Sequence, residues 1–262
     1  MVEFHYIQSG NGEMVASVDI PEKVDLSSQR LPVVIVTHGL TGHRIGIAYN
    51  LVDLGRRLNE KNIICVRFDQ RGCGESKGEF VELTIPKMKE DTLAVWQWVR
   101  GQSWCDPESI GLVGVSVGAI PTIGADAEHQ TSGVALWAPV YDMMRVFKAT
   151  AKTGLRGILE QQGWFPFKGL PVGLEFVQTM GEVQPRELLS ERSSPMIVFH
   201  SKTDEVVKFE ESEDYVRRCR EVSRLCELVE FRNACHNFID YLDRERILTN
   251  TVEFFERVFP AS

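Results

Sequence analysis

The sequence predicts an α/β protein with a mostly parallel central sheet, an N-terminal antiparallel hairpin and one small insertion. Three observations predict this class. Apolar bursts rich in Val, Ile and Leu alternate with longer amphipathic stretches, the pattern of strand–helix–strand crossovers. The later bursts are continuous rather than alternating, as in strands covered on both faces. The length of 262 residues suits one large domain with a well-buried core.

The elements follow in order. "EFHYI" and "EMVASVDI", joined across "QSGNGE", read as a hairpin in which Gly10, Asn11 and Gly12 supply positive-φ turn positions. "LPVVIVTHG", "NIICVRFD", "IGLVGVS", "GVALWAP", "PMIVFHS" and "CELVEFR" are the remaining strand candidates. Between them, "YNLVDLGRRLNEK" places Leu51, Leu54 and Leu58 on one helical face. "TIPKMKEDTLAVWQWVR" does the same with Ile85, Met88, Val95, Trp96 and Val99, and Pro86 falls in its first turn, where a missing N–H is harmless. "VGAIPTIGADAEH" reads as a helix after the fifth strand, and "ILTNTVEFFERVF" as the closing helix. Residues 140–190 break the rhythm. They are too long for an ordinary crossover and carry several aromatics and methionines. The expected organisation is a core of 1–139 and 191–262 with a cap insertion at 140–190.

Composition narrows the function. Hydrophobic residues at 43% and charged residues at 25% are ordinary for a globular domain. A formal net charge of −8, with acidic residues close to the basic stretches "RSSP" and "VRRCREVSR", argues against a nucleic-acid partner. No run approaches the roughly 18 apolar residues of a membrane span. The first residues read as a strand and not as a secretory segment, so the expected location is cytoplasmic. The six cysteines, Cys65, Cys73, Cys105, Cys219, Cys226 and Cys235, show no zinc spacing and no C-x-x-C pair, and read as free thiols.

Chemistry concentrates in a few loops. Gly114-Val115-Ser116-Val117-Gly118 fits G-x-S-x-G between a strand and a helix, the turn that exposes a nucleophilic hydroxyl above a sheet edge. A serine needs a base. His236 follows the last strand candidate and Asp204 follows "PMIVFHS", and loops at the carboxyl edge of a parallel sheet form its site. Ser116, Asp204 and His236 also stand in the chain order this arrangement requires. Asp142 and Glu205 are rival acids; His200, His5 and His129 read as structural. The turn after His38 and Gly39 must fold over the serine, and two N–H donors must meet the developing oxyanion. Val117 supplies one, and Leu40, with Thr41 as the alternative, the other. In "VRFDQRGCGESKGEF", Asp69, Arg71, Gly72, Gly74 and Ser76 read as a turn that buttresses the neighbouring loop. Its glycines lack the G-x-G-x-x-G spacing of a dinucleotide site.

The blocks "THGLTGH", "RFDQRGCGES", "GVSVG", "SKTDEVV" and "ACHNF" together resemble the α/β-hydrolase superfamily. The first two blocks look like the branch of small bacterial carboxylesterases that includes cinnamoyl and feruloyl esterases, and also like the related serine aminopeptidases and monoacylglycerol lipases. The resemblance implies an α/β-hydrolase fold with Ser116 as nucleophile, His236 as base, Asp204 as orienting acid, and Leu40 and Val117 as oxyanion donors. The activity it implies is that of a serine carboxylesterase needing no metal or cofactor, acting on a small ester with an apolar or aromatic group. A peptidase, amidase or acyltransferase would use the same residues, and a catalytically silent binding protein could keep the fold. A homodimer remains open.

Overall fold

The computed structural model describes residues 1–129, 131–150, 155–190, 194–222 and 224–260. Residues 151–154 of the expected insertion, and 191–193, where the core was expected to resume, lie outside the described residues.

The chain begins with the expected hairpin of β1 (Val2–Ser9) and β2 (Gly12–Asp19). Ser9 pairs with Gly12 across a two-residue turn. Only Gly10 has a positive φ, of 52°, so Asn11 and Gly12 do not take the conformation expected of them. One such residue suffices in a two-residue turn that opens on glycine. Then come β3 (Leu31–Thr37), α1 (Asn50–Glu60), β4 (Ile64–Phe68), α2 (Ile85–Arg100), β5 (Cys105–Val115), α3 (Ala119–His129) and β6 (Gly133–Trp137). The segment before the next main strand holds α4 (Met143–Thr150), α5 (Leu155–Gln162), β7 (Trp164–Phe167), β8 (Leu170–Gly173), α6 (Leu174–Thr179) and α7 (Pro185–Leu188). The chain ends with β9 (Met196–Ser201), α8 (Glu210–Glu221), β10 (Cys226–Phe231) and α9 (Tyr241–Val258).

The main sheet has eight strands in the order β1-β2-β4-β3-β5-β6-β9-β10. The β1–β2 and β2–β4 pairs are antiparallel, and β4 through β10 run parallel. β7 and β8 form a separate antiparallel hairpin.

Alternate side chains of the parallel strands feed two cores, as the period of a strand dictates. Val33, Ile35, Ile64, Val66 and Leu112 enter one, with Val95 and Val99 of α2 and Ile123 of α3. Val34, Val36, Cys65 and Val113 enter the other, with Leu51, Leu54 and Leu58 of α1 and Leu248, Val252 and Phe255 of α9. A Cβ on Gly111 would lie 2.3 Å from the Phe255 ring, so that glycine lets α9 settle onto β5. A third cluster lies under the segment between β6 and β9, where Phe176 and Met180 pack with Ile120, Met88 and Val117.

The helix starts are locally encoded. The Thr84 hydroxyl accepts from the Lys87 N–H at 3.3 Å to cap α2, with Pro86 in its first turn. Asp240 caps α9 by accepting from the Leu242 N–H at 3.0 Å. α9 therefore starts six residues before the apolar pattern that predicted it.

Candidate active site

The loops at the carboxyl ends of β3, β5, β9 and β10 meet above the sheet. Val115 is still extended, with φ −108° and ψ 124°, while Ser116 has φ +54° and opens the helical turn Ser116–Gly118 that leads into α3. A non-glycine residue in the left-handed region costs roughly 1–2 kcal/mol. The surrounding packing holds it there. A Cβ on Gly114 would stand 2.7 Å from Thr122 Oγ1 and 2.8 Å from Ala119 Cα of the helix; one on Gly118 would stand 2.5 Å from the His38 carbonyl. Both flanks of the serine are thus glycine for steric reasons, one against helix and the other against the end of β3.

The structure brings the predicted residues together. Ser116 Oγ lies 3.0 Å from His236 Nε2, and His236 Nδ1 lies 2.7 Å from Asp204 Oδ2. The partners set the tautomer: Nδ1–H donates to the carboxylate, leaving Nε2 to accept from the hydroxyl. Asp204 Oδ1 accepts from the Val206 and Val207 N–H groups at 2.8 and 2.9 Å. Burial alone would push this carboxyl up, but the donors from His200, His236 and the backbone outweigh it and hold it far below the ordinary carboxylate range. His236 is 8% exposed, so the pair is nearly closed to solvent yet open toward the serine.

The rival acids stand elsewhere. Asp142 accepts from the Arg145 N–H at 3.1 Å at the start of α4, and Glu205 is exposed. His5 pairs with Glu3 at 3.2 Å on β1, and His129 stacks on Trp96. His200 is buried and touches Asp204, at 3.2 Å, a contact its strand-end position did not disclose.

The loop after β3 supplies the other side. A Cβ on Gly39 would be 3.0 Å from the Ser116 Cβ, so the loop passes directly against the nucleophile. Leu40 lies outside any helix or strand, and its N–H makes no hydrogen bond within the described residues. Val117 is the second residue of its helical turn, where a backbone N–H has no intrahelical partner. Thr41, the alternative donor, has φ +63°. Buried His38 braces this loop. Its Nδ1 is 2.9 Å from the Gly39 carbonyl and its Nε2 accepts from the Gln70 N–H at 3.1 Å. Burial lowers its proton affinity, in keeping with a neutral ring that donates on one side and accepts on the other.

Asp69 buttresses the same loop. It accepts from the Arg44 N–H at 2.6 Å and from the Glu75 N–H at 3.1 Å, and pairs with the Arg44 guanidinium. Arg44 was missed in the sequence, because nothing in "TGHR" marks an arginine that turns inward. Arg71 behaves differently from expectation. It binds Asp91 and Glu90 of α2 and not the oxyanion loop. Ser76 Oγ donates to the Asp69 carbonyl at 2.6 Å, and Gly72 and Gly74 take positive φ in the turn between.

Over the serine lies a cavity of about 610 Å³, lined by Ser116, His236, Leu40 and residues of the segment between β6 and β9, among them Phe147, Phe165 and Phe176. Its walls are mainly apolar. Among the described residues no group of three or more His, Cys, Asp or Glu side chains could hold a metal ion, and no helix is long and apolar enough to cross a membrane. The cysteines are free thiols.

Known proteins share this architecture. The prolyl oligopeptidase family (Peptidase_S9) matches residues 56–262. The mouse alpha/beta hydrolase domain-containing protein 17C is 29% identical over 198 residues, 74% of this chain and 52% of its own length. The human form is also 29% identical, over 50% of its length, so the chain spans about half of these curated relatives. Among solved structures, the ferulic acid complex of Est1E from Butyrivibrio proteoclasticus superposes with a TM-score of 0.83 at 21% identity, over 97% of this chain and 98% of that one. The acylaminoacyl peptidase of Pyrococcus horikoshii superposes with a TM-score of 0.77 at 16% identity, over the whole of this chain and 42% of that one. These structural likenesses carry the fold. With a profile match over most of its length, the chain belongs to the prolyl oligopeptidase family of α/β hydrolases.

Proposed function

We propose that the chain is a serine hydrolase that cleaves carboxylic esters through an acyl-enzyme. One observation carries the reading: the unbroken relay from Ser116 Oγ through His236 to Asp204, with contacts of 3.0 and 2.7 Å, at the floor of an apolar cavity. His236 Nε2 takes the serine proton as Oγ attacks the ester carbonyl. The Leu40 and Val117 N–H groups receive the oxyanion. His236 then passes its proton to the departing alcohol and draws one from the water that frees the acid. Asp204 stays ionised throughout and stabilises the imidazolium.

The segment 140–190 serves as a cap. Its phenyl rings offer an apolar surface to one side of the scissile bond, which favours substrates with an aromatic or medium aliphatic group. Est1E, the structural neighbour solved with ferulic acid, is consistent with such a pocket. Amide cleavage is the second reading, favoured by the match to a family named for an oligopeptidase.

The test is a panel of p-nitrophenyl esters of increasing chain length beside aminoacyl anilides, with Ser116→Ala as control. Ester kcat/KM above anilide kcat/KM, with ester turnover abolished in Ser116→Ala, supports the proposal. Preference for the anilides makes the chain a peptidase, and an active Ser116→Ala moves the nucleophile elsewhere.

A further inference from the structure

β9 carries a second imidazole into the site. His200 is fully buried, and no step of the proposed cleavage uses it. Its Nε2 lies 3.2 Å from Asp204 Oδ2 and 3.0 Å from the Val207 carbonyl. Both are acceptors, so Nε2 carries the proton. Its Nδ1 lies 2.7 Å from Ser212 Oγ on α8, and a hydroxyl can donate there. The tautomer is therefore fixed from both sides of the ring.

The consequence falls on the acid. Asp204 Oδ1 is pinned by two backbone N–H groups, which leaves the carboxylate free to turn about that oxygen. Oδ2 is what must face His236, and the second donor on Oδ2 is His200. The other groups around the ring are neutral or already engaged. The Phe209 ring packs 5.5 Å away, with Lys202 Nζ over it. Glu211, next to Ser212, is taken by the Tyr141 and Asp142 N–H groups and by Arg145. His236 stands across the shared carboxylate.

We propose that His200 is a positioning residue of the triad, whose Nε2–H holds Asp204 Oδ2 toward His236 and shares its charge while Ser212 fixes the tautomer. The inference rests on Ser116, His236 and Asp204 acting as proposed above. Losing that N–H concentrates negative charge on the oxygen facing His236. The imidazolium is then held more strongly, and the base becomes free only at higher pH.

The test compares His200→Phe, which removes the donor, with His200→Gln, which can return an N–H to the same place. The readout is the pH profile of kcat/KM on a p-nitrophenyl ester. His200→Phe should lose about tenfold at neutral pH and shift its acid limb upward by about half a pH unit. His200→Gln should keep the limb where the wild type has it. A packing role alone would lower the rate without moving the limb; an unmoved limb in His200→Phe, or a limb equally moved in His200→Gln, overturns the proposal. Should either variant fail to fold, a histidine-selective 15N spectrum of the wild type decides. Protonated Nε2 with bare Nδ1 at His200 supports the proposal, and the reverse tautomer overturns it. Failure of the triad itself would show separately, as full ester turnover in Ser116→Ala.

Discussion

Replacing Asp204 by Asn keeps the shape, removes a charge and turns one acceptor oxygen into a donor. The carboxylate meets four donors: His236 Nδ1 at 2.7 Å, His200 Nε2 at 3.2 Å, and the Val206 and Val207 N–H groups at 2.8 and 2.9 Å. An amide offers one oxygen and one NH2, so whichever way it turns, two donors face a donor. With the oxygen kept on the backbone, the NH2 faces both imidazoles. His236 must then present a bare Nδ1, its proton moves to Nε2, and Nε2 no longer accepts from Ser116. Where this geometry has been measured, the same exchange lowers kcat about 10⁴-fold. Each unmet buried donor costs about 1–3 kcal/mol, so the variant should also unfold at lower urea. The sign of the pH dependence follows from the depressed pKa of Asp204. Its stabilisation is complete above the ordinary carboxylate value, near pH 4, and is lost as the pH falls further through the folded value. The stability gap between wild type and variant should stay flat from about pH 8 to 5 and narrow only in stronger acid. The assays are ester turnover and urea midpoints across that range. A folded variant with kcat within about tenfold of wild type would refute the orienting role.

Three further outcomes follow from the same geometry. Arg44→Ala leaves Asp69, whose side chain is 0% exposed, without its counter-charge. It should cost about 3–5 kcal/mol by chemical denaturation and lower kcat by loosening the Leu40 loop; an unchanged midpoint would contradict the buttress. Gly118→Ala drives a methyl to within 2.5 Å of the His38 carbonyl, and should destabilise by at least about 1–3 kcal/mol while displacing Ser116, read as a lowered Tm with lost turnover. Phe147→Ala opens the cavity wall where Phe147 meets Phe165 edge to face. It should raise KM about tenfold for long or aromatic esters and leave acetate esters unchanged; equal losses on all esters would place the acyl group elsewhere.

The sequence displays most of this fold because its strands are of the kind that declare themselves. A parallel strand covered on both faces reads as a run rich in Val, Ile and Leu, as β3, β4, β6 and β9 do, while the half-exposed edge strand β1 shows as alternation. The elements it hides lack that signature. β7 and β8 hold "WFPF" and "LPVG", each with a proline that argues against a strand, and the two face each other as the register pair Pro166 and Pro171. The first residues of β5, "CDPES", fall outside the strand expected over "IGLVGVS". α9 begins under a polar cap that apolar periodicity cannot see.

The triad was legible for a topological reason: each member follows a strand, and the carboxyl ends of parallel strands converge. The contacts among neighbours were not. Arg44 to Asp69, Arg71 to Asp91, and His200 to Asp204 depend on how loops turn after the strand ends, and loop geometry leaves little trace in residue spacing. The cavity is legible only as composition, since "WFPF" and "GLEFV" announce apolar surface without saying which ring faces the serine.

A fluorophosphonate probe tests the central claim most directly, because it reports a nucleophilic hydroxyl without presuming a substrate. The folded protein should take up one equivalent, and peptide mapping should place the adduct on Ser116, with the rate of labelling falling steeply in His236→Ala. An unlabelled folded protein, or an adduct on any other residue, would contradict it.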